Sequence, residues 1–197
     1  AIHYNSRRKN GSLVSVNCAA IPRELMEREL FCHIKGSFTG AVQSRKGYFQ
    51  EADSGTLFLD EIAEMDQDMQ VNLLLVFEQK EVMRVGETVP TKVDVRLIAA
   101  TNKDLLAEVE RGNFREDLYY RIYVVPITLP PLRQRSEDIP LLIEHFLNEF
   151  CKKQQKEPPP LTEDDLRLFV NYSWPGNVRE LRFMIERFCL LGGNVAD

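Results

Sequence analysis

Two carboxylates stand side by side at the end of an apolar run, Gly55-Thr-Leu-Phe-Leu-Asp60-Glu61. As a buried strand of an open parallel sheet, this run delivers both acids to the carboxyl edge, where such sheets bind ligands. One acid could then hold a Mg²⁺ shell while the other orients or deprotonates a water, the division of labour that phosphoryl transfer requires. An ordinary strand end entering an acidic helix start accounts for the same pair, because Asp and Glu favour that end of the helix dipole. A second apolar run, Val95-Arg-Leu-Ile-Ala-Ala-Thr101-Asn102, also closes on polar side chains. Lying beside the first, it would bring Thr101 and Asn102 to a phosphate or to the same water; alone, Asn102 is a common turn former.

Three arginines carry the same double reading. Phe114-Arg115-Glu-Asp-Leu-Tyr-Tyr-Arg121 sets two guanidiniums six residues apart in a helical stretch. They suit bidentate neutralisation of phosphate, in cis or from a neighbouring subunit, and equally suit surface ion pairs with Glu116 and Asp117. Arg179 lies at a loop–helix junction as a nucleotide sensor or a lid salt bridge. Gly36-Ser37-Phe38-Thr39-Gly40-Ala41 places an aromatic residue and a threonine between glycines, with Lys35, Arg45 and Lys46 around them. The glycines permit a tight loop tip that presents Phe38 to a partner; a Phe38 folded back into the core is the alternative.

The elements that must position these groups are legible in outline. Leu13–Asn17, Thr56–Asp60, Val95–Thr101 and Val124–Leu129 read as parallel strands buried on both faces, with helical patterns between them. Met69, Leu73, Val76 and Phe77 share one side of a helix after Asp66. Ile139, Leu142, Ile143, Phe146, Leu147 and Phe150 share one side of a helix starting near Asp138. Lys152–Pro160 runs a charged helix end into three prolines and divides a larger part from a smaller helical one. There Thr162 and Asp165 form a capping-box pattern, with Leu161 and Leu166 as its hydrophobic staple. Trp174-Pro-Gly-Asn-Val-Arg-Glu-Leu181 reads as a loop, then Asn177 as N-cap with Glu180 at the third helical position.

A length of 197 residues fits one domain with a small appended lobe. The net charge of −5 argues against a surface that coats nucleic acid throughout. No apolar run approaches a membrane span and residues 1–11 lack a signal-peptide layout, so a cytoplasmic location without membrane contact is expected. Cys18, Cys32, Cys151 and Cys189 lack CxxC spacing, which points to buried or free thiols in a reducing compartment rather than a disulfide framework or a zinc site. His3, His33 and His145 are spread without metal-ligand spacing, and no serine lies in a G-x-S-x-G context.

Together these stretches resemble the central AAA+ ATPase domain of the bacterial sigma-54-dependent transcription activators. The likeness runs through Val16–Ile21, Glu29–Phe31, Gly36–Ala41, Gly55–Ile62, Arg84–Gly86, Val93–Leu105, Phe114–Ile122, Leu129–Arg133 and Trp174–Leu181. It implies an α/β, AAA+ parallel-sheet sandwich, missing its first strand, over residues 1–136, followed by a small helical lid over 137–197. It implies ATP and Mg²⁺ as cofactors, with Asp60 for the metal, Glu61 for the catalytic water and Asn17 as the switch that holds this glutamate. Thr101 and Asn102 correspond to the first nucleotide sensor, Arg179 to the second, and Arg115 and Arg121 to arginine fingers. The Gly36–Ala41 loop, through Phe38 and Thr39, would contact sigma-54 and promoter DNA, and the partners implied are sigma-54 RNA polymerase and sister subunits in a ring, usually a hexamer. Hydrolysis would move the loop and remodel the closed promoter complex; a module that binds sigma-54 or sister subunits without hydrolysis is the alternative.

The sequence departs from the family pattern in places. No stretch matches GxxxxGK[ST], the loop whose backbone N–H groups cradle phosphates. The chain reads as starting inside the helix behind that loop, without the strand that would lie between the Val95–Thr101 and Val124–Leu129 strands. Those two strands are therefore expected to face a gap with unpaired backbone groups, and the 197 residues alone to bind ATP poorly. The helix-turn-helix usual in the family is also absent from them. Ser37 replaces a usual Ala, Cys32 and Ile34 a usual Gly and Glu, and Gln50 another Glu.

Overall fold

The computed structural model describes residues 1–31, 46–83 and 89–192. The sequence expectations for Gly36–Ala41, for Cys32, His33 and Ile34, and for Arg84 and Gly86 lie outside the described residues. Two compact units divide between Pro126 and Ile127, ahead of the 136/137 boundary expected from the sequence. The reason is Leu132, which is fully enclosed among the apolar side chains of the second unit.

The first unit carries β1 (Leu13–Asn17), α1 (Arg23–Phe31), α2 (Tyr48–Glu51), β2 (Thr56–Asp60), α3 (Gln67–Gln79), β3 (Glu81–Val82), β4 (Thr91–Lys92), β5 (Arg96–Ala99), α4 (Leu105–Glu110) and α5 (Glu116–Ile122). Three strands form a parallel sheet in the order β1-β2-β5, while β3 and β4 make a separate antiparallel pair. Only the middle strand is enclosed as expected: Leu57 and Leu59 of β2 are fully buried, whereas Leu13 of β1 and Arg96 of β5 meet solvent. Each fully buried leucine contributes about 1.5–3 kcal/mol. Gly55 is required by geometry, because a Cβ there would drive into the Ser12 carbonyl at the start of β1.

The fourth expected strand does not form. Residues 124–129 adopt no regular structure, and Val124, Val125, Ile127 and Leu129 are 65–80% exposed. A strand exists only through a neighbour's backbone, and among the described residues β5 pairs on one side alone. Residues 2–10, expected as part of a helix, form successive turns closed by bonds such as Ser6 N to His3 O. His3 is a packing residue, buried and sharing a 2.9 Å hydrogen bond with Thr56 Oγ1.

Helix starts follow side-chain chemistry. Asp66 caps α3 by accepting from Met69 N at 2.9 Å, and Asp104 caps α4 by accepting from Leu106 N and Ala107 N. In the second unit, α6 (Ile139–Gln154), α7 (Glu163–Asn171) and α8 (Asn177–Leu190) close on a core containing Ile139, Phe146, Phe150, Trp174, Ile185 and Phe188. The Thr162–Asp165 capping box is complete, and Leu161 and Leu166 pack against this core. The cap expected at Asn177 is not made. Gly176 holds the N-cap position, while Asn177 adopts a left-handed φ of 54° and its Oδ1 accepts from Leu132 N at 2.8 Å. Glu180 keeps its half of the motif, accepting from Gly176 N. Among the described residues, no helix is long and apolar enough to cross a membrane.

Candidate functional site

Parallel pairing makes the three strands of the sheet end on one edge, and register decides which residues meet there. Asn17, the last residue of β1, is the direct partner of Asp60, the last of β2. Leu59 pairs with Ala99 of β5, so Ala100, Thr101 and Asn102 leave the sheet beside the two acids. Two backbone bonds extend the join past the strands: Ala100 N donates to Leu59 O at 2.8 Å, and Ile62 N to Ala100 O at 3.0 Å. Glu61 turns the chain with a left-handed φ of 54° and ψ of 48°, a conformation costly for a residue with a Cβ and concentrated at functional sites. Its own N–H donates to Asp60 Oδ1 at 3.1 Å, and its Oε2 accepts from Asn102 N at 3.4 Å.

The rim therefore gathers Asn17, Asp60, Glu61, Thr101 and Asn102. Besides the two acids, Asn17 and Thr101 have partners nearby in the chain. Asn17 Oδ1 accepts from Ala19 N at 2.9 Å, capping the short 3₁₀ turn Cys18–Ala20, and Thr101 Oγ1 accepts from Lys103 N. Lys103 Nζ lies 2.7 Å from Glu64 Oε1; that hydrogen bond raises the ammonium pKa above its ordinary value, with the charge of Glu61 among the smaller causes.

Beneath the acids sits Cys18, buried and reduced. Burial first, then the negative charge of Asp60 and of Glu61, pushes its thiol from 9.0 up to about 12. At pH 8 its thiolate fraction is about a thousandfold below that of an unfolded cysteine. Peptide-level mass spectrometry should therefore find Cys18 unlabelled by iodoacetamide in the native chain and rapidly labelled in urea. Because the folded thiol holds its proton more tightly, its contribution to stability is whole below about pH 9 and is lost as pH rises toward about 12. Rapid native labelling at pH 8 would contradict the burial.

The arginines are placed less symmetrically than their spacing suggests. Arg115 is the N-cap residue of α5, and its guanidinium grips Asp117 with two bonds of 3.0 and 2.6 Å. The pair raises the Arg115 pKa and lowers that of Asp117, hydrogen bonding being the largest cause for both. Arg121, in the last turn of α5, donates to Phe77 O at 3.2 Å, satisfying a carbonyl at the end of α3. Arg179 stands exposed in the first turn of α8, on the surface of the second unit.

Sequence reasoning missed Gln70. It lies on the buried stripe of α3 with Met69, Leu73 and Val76, and it is fully enclosed. Its Nε2 donates to Met65 O at 2.9 Å and Asn113 O at 3.0 Å, while its Oε1 accepts from Arg115 N at 2.8 Å. The available signal was a lone amide among apolar positions of a helix, since a buried amide must find partners for each polar atom.

Among the described residues, no three His, Cys, Asp or Glu side chains gather as a metal cluster. A single carboxylate at a sheet rim fits magnesium, which keeps several waters and takes one or two carboxylates plus substrate phosphates. Asp60 is the residue that would hold it, with Glu61 left for a water.

Residues 1–128 match the family model described as the Sigma-54 interaction domain, and residues 133–195 that of the AAA+ ATPase lid domain. Transcriptional regulatory protein ZraR of Escherichia coli (strain K12) is 53% identical over 191 residues, covering 97% of this chain and 43% of its own length. Nitrogen fixation protein AnfA of Azotobacter vinelandii is 49% identical, with 97% and 36% covered. The crystal structure of NtrX from Brucella abortus in complex with ATP superposes with a TM-score of 0.89 at 38% identity, covering 100% of this chain and 43% of that one. The S. cerevisiae Hsp104:casein complex, at 14% identity and a TM-score of 0.63, shares the fold alone. The chain thus spans less than half the length of each of these relatives.

Proposed function

Because the chain belongs to the Sigma-54 interaction domain family and carries an AAA+ lid domain behind it, we propose that it is the ATP-hydrolysing core of a bacterial transcription activator acting on sigma-54 RNA polymerase. The observation that carries this reading is the join at the sheet rim. Asp60 and Glu61 follow one strand, Asn17 is their register partner on the next, and Asn102 N reaches Glu61 Oε2 from the third. Such an edge is where open α/β sheets take nucleotide.

In this reading Glu61 orients the attacking water and accepts its proton. The Asn102 backbone N–H fixes the Glu61 carboxylate, and Thr101 and Asn102 contact the terminal phosphate. Magnesium held by Asp60 supplies positive charge to the phosphate oxygens. Arg115 and Arg121 serve the site of the neighbouring subunit in a ring, a hexamer by family likeness, and Arg179 reports nucleotide to the lid. Gly36–Ala41, through Phe38 and Thr39, engages sigma-54 and promoter DNA in the cytoplasm. The GxxxxGK[ST] cradle is not among these 197 residues, so turnover is assigned to the full-length polypeptide that contains them.

Glu61→Gln in that polypeptide tests the assignment. A general base contributes at least about 10²-fold, so kcat for ATP should fall by about that factor while Mg-ATP binding, read by calorimetry, stays within about twofold of the parent. Parental turnover by the Glu61→Gln protein would remove Glu61 from the chemistry.

A further inference from the structure

The buried amide of Gln70 joins two places that the hydrolysis reading treats separately. Its Nε2 holds the carbonyl of Met65, four residues beyond Glu61, and the carbonyl of Asn113. Its Oε1 holds the N–H of Arg115. Only one orientation of the amide works: flipped, its NH₂ would face the Arg115 N–H and its oxygen would face two carbonyls. Every polar atom of this side chain is thus spent on one geometry, and the segment it grips is the connection between α4 and α5.

A second set of bonds braces the same loop. Glu108, buried to 6% exposure, accepts from Arg111 Nη1 at 2.6 Å and from Asn113 Nδ2 at 2.9 Å. Its backbone carbonyl accepts from Asn113 N and Phe114 N. Gln67 Nε2 donates to Gly112 O at 2.7 Å. Glu108 and Gln67 thus hold residues 111–114 as a rigid approach, and Gln70 fixes the point where α5 begins. Arg115 is that point: as N-cap residue its backbone sets where its guanidinium starts, and its guanidinium pairs with Asp117, two residues on.

We infer that Gln70 is the positioning residue for Arg115, setting the arginine's backbone at a fixed place relative to the turn that follows the two acids. The inference rests on the proposed reading in which Arg115 serves a neighbouring subunit's nucleotide. In that reading, one buried side chain couples the acid turn of each subunit to the arginine offered to the next. A misplacement of about 1 Å in such a group costs about 10²-fold in rate.

The test uses the full-length polypeptide, with Gln70→Met as an isosteric variant that can neither donate to the two carbonyls nor accept from Arg115 N. Its kcat should fall by about 10²-fold, with KM for ATP changed by less than about threefold. Mixed assemblies separate positioning from damage. Gln70→Met subunits keep Asp60 and Glu61, and Glu61→Gln subunits keep a correctly set Arg115. Mixing the two should restore turnover to about tenfold above either alone, whereas mixing Gln70→Met with Arg115→Ala should restore none. Parental turnover by Gln70→Met overturns the inference. So does failure of the Glu61→Gln mixture to recover, which would place the action of Gln70 on its own acid turn.

A measurement on the parent needs no variant. The Arg115 amide should exchange hydrogen as slowly as the buried amides of α3, and exchange at the rate of an unstructured peptide would also overturn the inference. Running Arg115→Ala in parallel keeps the two proposals apart. If Arg115→Ala turns over normally, the arginine-finger reading fails; if it is inactive while Gln70→Met is normal, only the role of Gln70 fails.

Discussion

Replacing Arg115 by alanine is expected to lower ATP turnover of the assembled full-length protein by about 10³-fold, at the lower end of what an arginine finger contributes. The guanidinium stands at the N-cap of α5 in an exposed pair with Asp117. An exposed pair of this kind contributes little to stability, so the thermal midpoint of the variant should match the parent. Loss of rate without loss of stability separates a group that serves phosphate from one that holds the fold. Arg115→Lys should recover only a small part of the activity, because an ammonium lacks the planar fork that meets two phosphate oxygens at once. Steady-state phosphate release, normalised to the ring fraction seen by analytical ultracentrifugation, is the readout. Parental turnover by Arg115→Ala rings would show that the Asp117 pair is the whole role of this side chain.

The second large effect is structural. Trp174 is the largest fully buried side chain of the second unit. Its ring lies parallel to Phe169 at 6.0 Å and edge-on to Tyr172 at 5.0 Å. Its Nε1 donates to Phe169 O at 2.7 Å at the end of α7. Trp174→Ala removes the ring, leaves a cavity and orphans that carbonyl, at a cost of about 3–5 kcal/mol. Domains of this size hold only about 5–15 kcal/mol in total, so α6, α7 and α8 should melt in a separate, earlier transition. Urea titration followed by far-UV circular dichroism would show it as a first step carrying the helical signal of residues 139–190. Trp174→Phe, which keeps most of the packing and loses the hydrogen bond, should cost about 1–2 kcal/mol. A single transition at the parental midpoint for Trp174→Ala would mean that this ring does not organise the unit.

Several features were readable because the forces behind them act over a few residues. The Thr162–Asp165 pair caps its helix through contacts three residues away and was visible as a pattern, as was the helix that starts after Asp66. The run Thr56–Asp60 declared a buried strand by composition, and its acids had to follow at its end. The likeness at Gly55–Ile62 and Phe114–Ile122 marked Asp60, Glu61, Arg115 and Arg121 for attention. The same local logic failed where a partner was needed. Val124–Leu129 has the composition of a strand, yet pairing requires an adjacent backbone, and none of the described residues provides one. Asn177 has the chemistry of a cap, yet its amide found the distant Leu132 N–H.

By its residues alone, then, this chain determined its longer helices, the three strands of its parallel sheet, the order of its chemical groups and its family. The tertiary structure decided which of those groups meet. It set Asn17 opposite Asp60, twisted Glu61 into a left-handed turn and brought Asn102 N to the carboxylate. It also spent the amide of Gln70 on segments five, forty-three and forty-five residues away. Periodicity and capping are written within one or two turns of chain, whereas strand register and the satisfaction of buried polar atoms depend on segments that only folding makes neighbours.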